Sequence, residues 1–266
     1  MYRLGNPHSP GAYNVDLELS GKRAIVTGGS RGIGKAIAKQ LALEGADVVI
    51  AARTKKQLEE TAKELEALTH RKIFPVVVDT GNDESVDQLI TTTIELLGGI
   101  DILVNNAAVP GGISPAVRLD QVVSEEALED VNIKIVGYLR TARAASPHLI
   151  ANGWGRIINI GGLAVRKAGR PIASLRNAGV AAISKSLADE LGPKGINVTV
   201  VHPGATRTER TDPASEAALA ASVSIGRIID AEEVAYVVAF LASPKSISIN
   251  GDAIATGGGC IGTIYY

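Results

Sequence analysis

The chain has 266 residues, 45% of them apolar and 21% charged, a balance that supports a sizeable core and excludes an extended, self-repelling chain. A net charge of -1 without a basic run leaves no footprint for nucleic acid or an acidic membrane surface, so small molecules are the expected partners. The single cysteine, Cys260, excludes an internal disulfide and reads as a small packed side chain; with no run of about eighteen apolar residues and no charged-then-apolar leader, the cytoplasm is the expected compartment.

Residues 1–20 carry Gly5, Pro7, Pro10 and Gly11 without strand or helix periodicity and read as an N-terminal arm, with one domain expected over 21–266. From Gly21 onward, short β-rich runs alternate with helical ones. Strands are expected at 23–27, 47–51, 73–78, 102–104, 156–160, 197–201 and 252–256, and helices at 33–44, 54–68, 83–97, 124–151, 172–191 and 231–242. Near-continuous apolar strands separated by amphipathic helices require both faces of a parallel sheet to be covered. The expected fold is therefore α/β, a single doubly wound Rossmann-type domain of about seven strands with helices on both faces, binding ligands at the carboxyl ends of its strands.

The first strand runs directly into T-G-G-S-R-G-I-G, Thr27 to Gly34, and a helix follows at once. Glycines at 28, 32 and 34 permit a tight turn and close backbone approach, and a helix N-terminus offers free N–H groups to a pyrophosphate. Asp79 after the third strand and Asn105-Asn106-Ala107-Ala108 after the fourth complete a constellation that resembles the short-chain dehydrogenase/reductase family over about residues 21–259. The resemblance implies cofactor contacts from Thr27, Gly28, Ser30, Arg31, Gly32, Ile33, Gly34, Asp79, Asn105 and Ala107, and from Pro203, Gly204, Thr206 and Thr208 after the sixth strand. An NAD site usually places a carboxylate after the second strand, whereas this chain has Arg53 there and Arg31 in the turn. Two guanidiniums suit a 2′-phosphate, so NADP(H) is expected in preference to NAD(H). No metal-ligand set is identified.

The family's catalytic half is where the resemblance breaks. It supplies an Asn in the long helix, matched by Asn132; a Ser after the fifth strand; and Tyr-x-x-x-Lys on the next helix. There, i and i+4 share a face, so the Lys can hold the nicotinamide ribose and lower the Tyr pKa. Registered by the downstream text A-G-V-A-A-I-S-K-S-L, the Tyr position is Ala173 and the Lys position is Asn177, with Gly161-Gly162 standing where the Ser belongs. No tyrosine occurs between Tyr138 and Tyr236, so no small shift restores the motif. A positioned general acid contributes about 10² to 10⁴ in rate, so either another group serves or the chemistry differs.

Arg166, Lys167 and Arg170, in the loop before that helix, are candidates for an anionic substrate. Ser174 and Arg176 neighbour the vacated positions but are turned about 100° from them along a helix. Tyr138 reads as packing and His202 as a structural strand-end histidine. The Ala-rich segment 211–222 is expected to cover the substrate cleft. The readings are an NADP(H)-dependent oxidoreductase with a non-standard proton relay, an NADP(H)-binding sensor or partner subunit without turnover, and a non-redox enzyme using the emptied cleft. The resemblance also implies a homodimer or homotetramer through the helices at 124–151 and 172–191.

Overall fold

The computed structural model describes residues 15–109, 118–262 and 264; most of the expected arm, residues 1–14, lies outside them. Seven parallel strands form one sheet: β1 (Arg23–Thr27), β2 (Asp47–Ala52), β3 (Ile73–Val77), β4 (Ile102–Asn105), β5 (Gly155–Ile160), β6 (Ile196–Pro203) and β9 (Ala253–Thr256). Their order is β3-β2-β1-β4-β5-β6-β9. The chain steps outward from β1 through β2 to β3, then returns to place β4 on the other side of β1. That reversal opens a crevice at the carboxyl ends of β1 and β4, where ligands of such sheets bind.

The central strands β1, β2, β4, β5 and β6 are covered on both faces, which is why they read as continuous apolar runs, while the edge strands β3 and β9 are partly exposed. On one face, α1 (Gly32–Leu43) packs on α8 (Ala231–Ala242) through Ala36, Ala38, Ala42, Ala235 and Ala239, small residues that let the two helices approach closely. The charged helix α2 (Lys55–Thr69) buries only its apolar stripe of Leu58, Ala62 and Leu65. The other face carries α3 (Asp83–Leu97), α5 (Gly137–Ala151) and α6 (Pro171–Leu191), contributing Leu89, Ala145, Leu149 and Leu191. Helix α3 starts where the Asn82 side chain accepts the Ser85 amide at 2.8 Å.

Three features differ from the periodicity. The helix expected over 124–151 is three pieces: α4 (Ser124–Asp130), a π-helical turn (Val131–Val136) and α5. Strand β7 (Thr206–Arg207) pairs with β8 (Ile229–Asp230) in a two-residue parallel ladder, too short to leave a periodic trace. The helix over the cleft, α7 (Pro213–Ala220), is shorter than the Ala-rich segment. Opposite the cleft, at the amino ends of β1 and β5, Trp154 lies between two cations: Lys22 Nζ is 4.1 Å and the Arg156 guanidinium 4.6 Å from its ring centroid.

Candidate active site

A single cleft of about 900 Å³ runs from the glycine-rich turn, past the carboxyl ends of the strands, to the first turns of α6. At the turn, Gly28 has φ +65°, and a Cβ there would lie 2.8 Å from Asn106 Nδ2. A Cβ on Gly34 would lie 2.2 Å from the Gly28 carbonyl oxygen. Only glycine permits this approach of helix to turn. Thr27 Oγ1 accepts the amides of Asn106 and Ala107 at 3.0 and 3.2 Å, stitching β4 to the turn. Gly28, Ser30, Arg31, Gly32 and Ile33 line the cleft, as do Asp79, Asn106 and Ala107. Thr27 and Gly34 shape that wall from behind.

Asn105 differs from its expectation as a cofactor contact. Its fully buried side chain donates to Asn159 Oδ1 at 2.9 Å and accepts from Thr141 Oγ1 at 2.7 Å; Asn159 continues to Ser184 at 2.9 Å. This chain of polar groups ties β4, β5, α5 and α6 together beneath the site, and the neighbouring Asn106 faces the cleft instead.

Electrostatics at the turn favour anions. Arg31, Arg53 and Arg210 all line this end of the cleft, and partial burial together with the like charges of Arg210 and Arg53 lowers the Arg31 pKa. The Gly32 amide at the start of α1 donates to both Glu209 oxygens, at 3.1 and 3.2 Å. A carboxylate thus holds the positive end of the helix dipole, the position suited to a phosphate. Arg210 and Glu209 lie far along the chain from the turn and were not anticipated. A cradle closed to any Cβ, a helix N-terminus and three guanidiniums fit a dinucleotide carrying an additional phosphate.

At the inner end, Gly162, Ala173 and Asn177 come together in the wall of the cleft. A Cβ on Gly162 would lie 3.0 Å from Asn177 Nδ2, and Asn177 Oδ1 is buried without a partner. Arg176 faces inward beside them, only 4% exposed, and its Nη1 donates to both carboxylate oxygens of Asp130 at 2.9 and 3.1 Å. Lys134, also in the wall and 5% exposed, donates from Nζ to the Gly161 carbonyl at 3.1 Å. Burial and the adjacent Arg176 bring its pKa down to about 7, against an opposing pull from Asp130.

Asn132 is not in the cleft wall. Its side chain accepts from Arg140 at 2.8 Å, and its carbonyl accepts from the same guanidinium at 3.1 Å. Residues two apart on a helix point roughly opposite ways, so the turn that directs Lys134 inward directs Asn132 outward. The side chain expected to support the relay is thus engaged by Arg140. Tyr138 hydroxyl donates to the Ile160 carbonyl at 3.1 Å, and burial raises its pKa far above the usual phenol range. His202 Nδ1 accepts the Gly162 amide at 3.0 Å, and burial brings its pKa down to about 4.

Arg166, Lys167 and Arg170 line the mouth, the last two exposed, with Arg166 donating to the Ala253 carbonyl at 3.3 Å. Pro203, Gly204, Thr206 and Thr208 form the wall beyond β6, and half-buried Cys260 lies beside them. Among the described residues no group of three metal-ligating side chains occurs, and no helix is long and apolar enough to cross a membrane.

The chain matches the short chain dehydrogenase family over residues 22–218 and belongs to that family. Among its relatives, a 3-oxoacyl-(acyl-carrier-protein) reductase from Vibrio cholerae is 34% identical over 248 residues, covering 91% of this chain and 98% of the relative. A short chain dehydrogenase from Burkholderia cenocepacia, solved in complex with NADP, is 37% identical with a TM-score of 0.82, covering 91% of this chain and 98% of that one. L-sorbose reductase from Gluconobacter frateurii, solved with NADPH and L-sorbose, is 30% identical with a TM-score of 0.86, covering 94% of this chain and 100% of that one.

Proposed function

We propose that this protein is an NADP(H)-dependent oxidoreductase acting on a small carbonyl, alcohol or enone substrate, with a proton relay other than serine, tyrosine and lysine. The observation that carries the reading is the continuity of the arginine-lined dinucleotide cradle with an inner pocket holding buried ionisable groups. The two NADP-bound and NADPH-bound structural relatives support the cofactor assignment.

The cofactor is NADP(H), which when bound supplies or accepts the hydride. Arg31 and Arg53 hold its 2′-phosphate, with Arg210 completing the cluster, and the α1 amides hold the pyrophosphate once Glu209 gives way. Thr206 and Thr208 orient the nicotinamide end. Arg166, Lys167 and Arg170 ring the mouth with positive charge and favour an anionic substrate. Exposed Leu128, Leu139 and Leu175, on α4, α5 and α6, favour self-association through those helices as a homodimer or homotetramer.

Thermal unfolding with NADPH, NADP⁺, NADH or NAD⁺ tests the cofactor half. A ligand at a hundred times its Kd stabilises by about 2.7 kcal/mol, a rise of several degrees for a chain of this size, and only the phosphorylated cofactors should produce it. NADPH oxidation is then followed with a panel of 3-oxoacyl thioesters and ketoses, the chemistries of the named relatives. Binding without oxidation across that panel would replace the enzyme reading with a cofactor-sensing or partner-subunit role.

A further inference from the structure

Several groups in or behind the wall of the inner pocket can be weighed as proton carriers, and the contacts around them separate the candidates. Arg176 and Arg166 are guanidiniums, which do not release protons in proteins. Asp130 is engaged by Arg176 through both oxygens. Tyr138 spends its hydroxyl proton on the Ile160 carbonyl behind the wall. His202 receives the Gly162 amide at Nδ1, which requires that nitrogen to be unprotonated. Lys167 and Arg170 are exposed at the mouth. Lys134 remains.

Its amino group donates to Gly161, beside Gly162, in the cleft that Ala173 and Asn177 also line, positions that offer no hydroxyl or amine. An ammonium has three N–H donors. Lys134 uses one of them on Gly161 and makes no other hydrogen bond among the described residues, which leaves donors for a ligand in the cleft. The side chain reaches this place because it projects from the π-helical turn, an irregularity often found at functional sites.

We propose that Lys134 is the proton donor of this active site in the reductive direction and the proton acceptor in the oxidative one. The proposal rests on the oxidoreductase reading. As a substrate C=O carbon gains a hydride from NADPH, the C=O π pair moves to oxygen. An N–H bond of the Lys134 ammonium breaks, its electron pair stays on nitrogen, and an O–H bond forms. The products are alcohol, neutral amine and NADP⁺, and the reverse reaction returns the proton to the amine. Arg176, fixed by Asp130, is a positioning residue: its charge destabilises the ammonium and eases proton release, while Asp130 opposes it. Arg166, before α6, lines the same pocket, as does the neutral amide of Asn177, and His202 on β6 lies behind Gly161 and Gly162. A group that titrates near neutrality is matched to proton transfer at working pH.

The first test reads the proton itself. Lysines labelled with ¹³C at the ε carbon are titrated by NMR in the NADP⁺-bound protein, in wild type, Lys134→Gln and Lys134→Arg. One resonance with a midpoint near 7 in wild type, absent from both variants, is expected; no lysine titrating below pH 9 would overturn the proposal. The second test is NADPH oxidation with the 3-oxoacyl thioester and ketose panel. Lys134→Gln should lose at least a hundredfold in kcat while NADPH affinity stays within threefold, and the pH dependence with a midpoint near 7 should disappear. A variant that binds NADPH and keeps the wild-type rate and pH profile overturns the proposal but leaves the oxidoreductase reading standing. Wild type that oxidises no NADPH overturns both. If Lys134→Gln fails to fold, Lys134→Met and the wild-type titration decide.

Discussion

Arg176, in the wall of the cleft, grips both oxygens of Asp130 at 2.9 and 3.1 Å, with each side chain only 5% exposed. Two charges taken out of water here are held by each other, and Arg176 still leaves Nε without a partner. Such a pair is costly to break from one side, because the survivor remains charged in a poor solvent. Asp130→Ala is expected to lose about 3 to 5 kcal/mol in urea denaturation. Replacing both partners together, as Asp130→Leu with Arg176→Met, should recover a large part of that loss. Equal losses in the single and double variants would show the pair is not coupled.

Lys134 and His202 set opposite ends of a pH profile. The lysine is lowered to about 7, so the unfolded chain binds its proton more readily than the folded one from that pH up to the ordinary value of about 10.4. Its cost to folding is full below pH 7 and fades as pH rises through that window. Wild type should therefore gain several degrees in midpoint relative to Lys134→Met between pH 7 and 10. His202 is lowered to about 4, so the folded state loses stability as pH falls from about 6.5 towards 4. His202→Gln, compared with wild type by thermal unfolding over pH 4 to 7, should flatten that slope.

Arg31 and Arg53 should sort the cofactors. A hydrogen bond to a charged group contributes about 1.5 to 3 kcal/mol, or about 10- to 100-fold in Kd. Arg31→Ala and Arg53→Ala are each expected to weaken NADPH by that factor and to leave NADH within threefold, measured by titration calorimetry. Equal weakening of both cofactors would place the 2′-phosphate elsewhere.

Glu209 occupies the helix end that a phosphate should take, so it competes with the cofactor. Removing its charge with Glu209→Gln should tighten NADP⁺ by about two- to fivefold, the scale of a charge at an exposed helix terminus. The same variant should unfold a degree or two earlier without cofactor. Weaker binding would mean that the carboxylate assists the ligand.

The cofactor half was legible because its signals are local. Gly28, Gly32 and Gly34 lie within one turn between a strand and a helix, and Arg31 and Arg53 follow the first two strands closely. Arg210 joins the same cluster from beyond β6, a proximity that no spacing encodes. The positions to which the resemblance assigns the family's Ser, Tyr and Lys, 162, 173 and 177, could be registered from the text around them. What moved into that region could not: the side chain at 134 looks like a solvated charge in an amphipathic helix. Its inward direction depends on a π-helical turn that leaves no hydrophobic period, and its charged neighbours, Asp130 and Arg176, are 46 residues apart. By the same geometry the side chain of Asn132, which matched the family by letter, turns away from the cleft wall to Arg140.

The lone tryptophan has a practical meaning for all these measurements. Trp154 sits between Lys22 and Arg156 at the amino end of β5, a strand whose six residues carry the chain about 20 Å to the cleft. Its emission is therefore set first by contacts on the sheet's floor, and a reduced nicotinamide at the roof reaches it only through energy transfer across the sheet. One native probe thus reports the melting of the floor directly and the arrival of the reduced cofactor at a distance.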